Sequence, residues 1–118
     1  MYDLTTQIIN FDGTLATYGE KVKTKDGDKN IEKVEQKPMS VQYVAEASLL
    51  KNVMGRTAEE DITINNADYI IKRYNLASKI NKNKGKVDLT EEEINIILKT
   101  LSYCFDIQTV GFVANHLK

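Results

Sequence analysis

A single cysteine, a single proline, a single histidine and no tryptophan occur in 118 residues, and each shortage closes off a class of protein. Cys104 has no internal partner, so a disulfide-stapled secreted scaffold is excluded. Cys104 and His116 fall short of the ligand set of a structural zinc site. They also lack a third orienting group for thiol catalysis. No Gly-rich phosphate loop is present, and no cofactor is called for. No window approaches the roughly 18 apolar residues of a membrane helix. The opening "MYDLTTQIIN" has neither the basic start nor the apolar run of a secretory signal. The expectation is a cytoplasmic protein without a membrane partner. Excess charge is missing too: the formal net charge is −1, which argues against a general polyanion binder and against an acidic mimic of DNA.

What is present begins with "IINFDGTLAT". Phosphotransferases of the haloacid dehalogenase type carry Asp-x-Asp-Gly-Thr-Leu after a first strand, and this chain reads Asn10-Phe11-Asp12-Gly13-Thr14-Leu15. Asn10 stands where the nucleophilic, magnesium-holding aspartate belongs, and an amide supplies neither function. The chain is also too short for the repeated strand and helix units of such a core. Asp-Gly between β-favouring runs is a hairpin signal, with a type I′ turn setting Phe11 opposite Thr14 and Ile9 opposite Ala16.

The chain reads as one α+β domain over residues 1–118, with a β-hairpin region at 1–37 and a helical region at 38–118. From Glu20 to Lys37 eleven of eighteen residues are charged, so little can be buried there. Asp26-Gly27 closes a second hairpin between Val22 and Val34, giving a small meander; a mobile loop is the alternative. Asp26, Asp28 and Asn30 have calcium-loop spacing, but Ile31 and Lys37 replace the required glycine and glutamate.

After Pro38 the pattern turns helical. Ser40 caps a helix to about Met54 that stops at Gly55, with Val41, Val44, Ala45 and Ser48 on one face and Tyr43, Ala47, Leu50 and Met54 on another. Thr57 and Glu60 suggest one turn of helix, and Asn65 or Asn66 caps the next, "ADYIIKRYNLASKINK". Its apolar positions form two stripes at 100° per residue. Ala67, Ile70, Ile71, Tyr74 and Ala77 make the first; Tyr69, Leu76 and Ile80, with Arg73 alongside, make the other. Either both are core, or the stripe with Arg73 meets a partner. Gly85 serves as a left-handed terminator. In "VDLTEEEINIILKTL", Thr90 and Glu93 form a capping box and Leu89 staples onto Ile94. Ile94, Ile97, Leu98, Leu101 and Phe105 form the buried stripe. Asp106 caps a last helix facing inward through Ile107, Val110, Gly111, Ala114 and Leu117, with Gly111 admitting a closely packed neighbour.

Two binding surfaces follow. Tyr69, Arg73, Leu76 and Ile80 with Tyr43, Leu50 and Met54 make a protein-docking face, if the core does not consume them. Used symmetrically, one such patch gives a homodimer. Residues 67–86 alone are clearly basic, and Arg56, Lys72, Arg73, Lys79, Lys82, Lys84 and Lys86 make a strip for nucleic acid, with Tyr69 or Tyr74 to stack a base.

The order of "FDG", "KPMSVQYV", "KRYNLASKI", "VDLTEEEINIILKTL" and "VGFVANHL" resembles that of small proteins encoded by tailed phages and prophages. These open on a short hairpin and close on an acidic-capped helix and a Val-Gly helix, here Val110-Gly111. The charged insert at 20–37 departs from that pattern. The resemblance implies a setting inside a bacterial host and a non-catalytic accessory protein that binds a host or phage protein as inhibitor, adaptor or assembly factor. A virion or tail assembly role is the other implication.

Overall fold

The computed structural model describes residues 1–118, the Asp26 side chain excepted. The fold is α+β. In chain order it runs β1 (Tyr2–Asp3), β2 (Thr17–Asp26), β3 (Lys29–Pro38), α1 (Val41–Leu50), α2 (Ala58–Asn65), α3 (Ala67–Lys82), β4 (Lys86–Val87), α4 (Glu91–Cys104) and α5 (Ile107–His116). Two small antiparallel sheets, β1 with β4 and β2 with β3, flank five helices. The core gathers Leu4 and Ile8 from the front with Val44, Ile80, Ile97, Leu101 and Val113 from the helices.

Helix starts follow local chemistry. Ser40, Thr57, Asn66, Thr90 and Asp106 each accept a hydrogen bond from the backbone N–H three residues on, each cap contributing about 1 kcal/mol. At Thr90 the box is reciprocal, because Glu93 Oε1 accepts from Thr90 N at 2.9 Å. Thr57 and Glu60 do not close the same box: Glu60 Oε2 accepts from Arg56 N instead, at 3.0 Å.

Helix ends are less local. α1 stops at Leu50, short of the expected Met54. The Arg73 guanidinium reaches from α3 to the Ser48 and Lys51 carbonyls, and so caps the last turn from outside the helix. Gly55 is no terminator. A Cβ there would lie 2.2 Å from Asp61 N, so glycine is needed for the approach to α2. α3 ends in a Schellman arrangement, with Gly85 N donating to the Ile80 carbonyl and Lys84 N to that of Asn81. Lys84 takes the left-handed position at φ 53°, and Gly85 follows at φ 81°.

The first turn exists, but its register differs from expectation by one residue. Asn10 N donates to Thr14 O and Gly13 N to Asn10 O, so Phe11, Asp12 and Gly13 form a three-residue loop with Gly13 at φ 90°. Ile9 therefore pairs with Leu15 rather than Ala16. A one-residue slip exchanges faces: Ile8 and Ala16 go inside, and Ile9 and Leu15 go out. The charged insert forms the other hairpin, longer than expected, with Asp26 paired to Lys29 and Gly27-Asp28 as its turn in place of the expected Asp26-Gly27. Positive φ at Gly27 alone suits a type II′ turn. The calcium-loop spacing thus falls on a hairpin tip, and its Asp26 side chain lies outside the described residues.

Two helices turn a different face inward than their stripes suggested. On α3 the buried residues are Arg73, Leu76, Ala77 and Ile80, while Ile70, Ile71 and Tyr74 are exposed. Packing of α1 and α4 onto the same side selects that face. On α5 the buried residues are Thr109 and Val113; Leu117, just past its end, is buried as expected, and Val110 packs at the edge. Ile107 and Gly111 point outward, and nothing lies within 4 Å of a Cβ built on Gly111, so no neighbour packs closely there. On α4, Ile97 and Leu101 are buried as expected, joined by Ile96 and Thr100; Ile94, Leu98 and Phe105 pack at the edge.

Candidate functional site

The residues of the phosphotransferase lookalike are spent on their own turn. Asp12 Oδ1 accepts from Thr14 N at 3.0 Å and from Thr14 Oγ1 at 2.6 Å, and Asn10 Nδ2 donates to Thr14 Oγ1 at 3.1 Å. The bond from the Thr14 hydroxyl, reinforced by its N–H, holds the Asp12 carboxyl below its ordinary pKa. Burial pushes the Cys104 thiol up, which makes it a weaker nucleophile. His116 Nε2 lies 2.7 Å from the Asp3 carbonyl. A carbonyl only accepts, so that ring nitrogen carries the proton and ties α5 to β1. Among the described residues no three His, Cys, Asp or Glu side chains are placed to hold a metal. No helix among them is long and apolar enough to cross a membrane.

The protein-docking face expected on α3 is not assembled. Leu76 and Ile80 lie in the core, and Arg73 is only 4% exposed. Tyr69 is half-buried, and burial raises its phenol pKa. Tyr43 stacks on Tyr18 with centroids 3.8 Å apart, closing the base of the hairpin. Leu50 and Met54 alone of that set stand well out in solvent. The core has consumed the rest because α1 and α4 cover that side of α3.

The basic strip is likewise broken up. Arg73 caps α1, Lys72 Nζ pairs with Glu92 at 2.9 Å, and Lys79 Nζ pairs with Glu93 at 3.0 Å. These pairs cross the shallow cleft between α3 and α4. Burial pushes the Glu93 carboxyl up, but the Thr90 N–H and Lys79 outweigh it and the net shift is downward. Arg56 lies 4.8 Å over the Tyr103 ring and donates to the Ser102 carbonyl. Lys82, Lys84 and Lys86 remain exposed at the end of α3 and the start of β4.

A different surface emerges where the first turn meets α5. The Phe11 N–H donates to the Gln108 side-chain oxygen and fixes the turn against the helix start. Around that bond an open groove of about 370 Å³ is lined by Ile9, Phe11, Ile107, Gln108, Gly111, Phe112 and Asn115. Phe11 is 97% exposed and Ile107 91%. Leu15, paired with Ile9 across the turn, is exposed as well. Gly111 leaves open space beside them, so the wall is recessed. The flanking carboxylates, Asp12 and Asp106, are held in their turn and cap and both lie below their ordinary pKa. Helical periodicity assigned Ile107 to the core, and Phe11 was legible only as a turn residue. Two signals pointed here: a large aromatic at the tip of an Asp-Gly turn, and an isoleucine directly after a helix cap.

Comparison with protein-family models, with curated proteins and with solved structures finds no match to this chain.

Proposed function

We propose that the protein works by stoichiometric docking on another protein, through the groove between the first turn and α5. The observation that carries this reading is the pair Phe11 and Ile107, two large apolar side chains almost fully in water on either side of a recess. Large apolar residues grouped around a concavity bind an apolar anchor on a partner and release the water between them. A scattered exposed leucine means little; a rimmed cluster held by the hydrogen bond from the Phe11 N–H to the Gln108 side chain offers a preformed shape. The resemblance to small phage and prophage proteins supplies the setting. The partner is a host or phage protein in the bacterial cytoplasm, which this chain blocks, bridges or helps to assemble.

The test is affinity capture from host lysate, with and without nuclease, at low and high salt. Three baits are compared: the wild type, Phe11→Ser with Ile107→Ser, and Lys82→Glu with Lys84→Glu and Lys86→Glu. Apolar contact resists salt, whereas phosphate contacts weaken steeply. One protein held through nuclease and salt by the wild type and the lysine variant, and lost from the groove variant, is the expected result. Recovery that disappears with nuclease, or with the lysine variant alone, overturns the reading.

A further inference from the structure

The β2–β3 hairpin is a ten-residue ribbon, Thr17–Asp26 paired with Lys29–Pro38, long enough to reach about 34 Å. It meets the helical body at its base, where Tyr18 stacks on Tyr43. Farther out, β3 is exposed apart from half-buried Ile31. A two-stranded ribbon with nothing packed on it is marginal by itself. The two long edges of this ribbon carry different charge patterns: lysine recurs at 21, 23 and 25 on β2, whereas β3 alternates in sign through Glu32, Lys33, Glu35 and Lys37.

Two antiparallel copies of one edge, related by a two-fold axis through the sheet, must place one residue opposite itself. On β2, centring on Val22 sets Lys21 against Lys23 of the copy, twice, so like charges meet. On β3, centring on Glu32, Lys33 or Glu35 also sets a charge against itself. Centring on Gln36 runs the pair into Pro38, which has no N–H to donate. Centring on Val34 puts no like charges together and moves Pro38 to the far end of the pair, opposite Asn30 of the copy. It sets valine against valine and Lys33 against the copy's Glu35 on both sides of the axis. Val34 is exposed, so its side chain is free to meet that of the copy across the axis.

Within its own hairpin Glu35 also faces Glu20 directly, a like-charge pair that a cation would relieve. Lys37 Nζ already lies 3.2 Å from Glu35 Oε2, and a carboxylate has room for another donor at its other oxygen. We propose that two copies of this chain pair along β3, with Val34 on the two-fold axis, to form a four-stranded sheet in the order β2, β3, β3, β2. The strands left at its rims are the lysine-bearing β2 edges, which repel further addition and close the assembly as a dimer. This contact lies on the hairpin and not on the groove, and it stands independently of the docking proposed above.

Sedimentation equilibrium of the full chain at low salt tests it, with Lys33→Glu, Glu35→Lys and an equimolar mixture of the two variants. The wild type dimerises, and each variant alone weakens the dimer by about tenfold or more, because two attractive cross-strand pairs become repulsive. The mixture recovers the dimer, since the acidic edge of one variant faces the basic edge of the other. Such rescue in trans has no explanation in the stability of either hairpin alone; circular dichroism checks that both variants fold. A monomeric wild type, single variants that dimerise like it, or a mixture no tighter than its components overturns the proposal. So does a dimer broken only by Phe11→Ser with Ile107→Ser.

Discussion

The two faces of α3 are built from the same kinds of residue and have opposite fates. One carries Leu76, Ala77 and Ile80 with an arginine among them, and it is buried; the other carries Ile70, Ile71 and Tyr74, and it is exposed. By composition alone the exposed face is better suited to a core. Arg73 explains much of the reversal. Its guanidinium meets the Ser48 and Lys51 carbonyls, where α1 ends and its dipole is negative. The cation is thus bonded to the end of a neighbouring helix, although its Nε finds no partner among the described residues. A charged residue can therefore belong to the inner face of a helix when another helix ends beside it.

That contrast can be broken from its strongest side first. Ile80→Ala leaves a cavity in the centre and is expected to cost about 3 kcal/mol in urea unfolding, whereas Ile71→Ala on the outer face should stay within about 0.5 kcal/mol. Equal losses at the two positions would mean that the outer face is also packed. Arg73→Ala should cost about 2 kcal/mol, because two carbonyls at the end of α1 lose a charged donor. A loss confined to amide protection around 48–51, read by hydrogen exchange, would separate the capping role from packing.

The smallest expected effect is on pH dependence. Asp106, bonded to the Thr109 N–H, and Asp12, bonded to the Thr14 hydroxyl, have folded-state pKa values below their unfolded ones. Their contribution is present above the unfolded pKa, about 3.9, and is lost as pH falls through the folded value. Thermal melts should therefore shift downward below about pH 4, and Asp106→Asn should flatten that shift. A melt temperature that holds through this range in the wild type would contradict the assignment.

Local chemistry made much of the fold readable in advance. Ser40, Asn66, Thr90 and Asp106 cap helices where the sequence placed them, because a cap depends on residues within one turn. The sequence also calls for a second hairpin, at Asp26-Gly27, and the structure has it with the turn one residue later, at Gly27-Asp28. What could not be read was which stripe of a broadly apolar helix faces inward, since that depends on where α1 and α4 lie. The first turn shows the same limit on a smaller scale: a three-residue loop in place of a two-residue one pairs Ile9 with Leu15 instead of Ala16 and so brings Ile9 and Leu15 onto one face. The groove was hidden for a related reason. Phe11 and Gln108 stand 97 positions apart and meet only after α5 has docked on the front of the chain.

The claim that this groove is the working surface is tested most directly by an amide hydrogen-exchange footprint of the chain with its captured partner. The account expects slowed exchange at residues 9–15 and 107–115 on binding, with the exposed face of α3 and the lysines at 82–86 unchanged. Protection confined to 82–86, or spread over 67–74 with the groove unaffected, would contradict it.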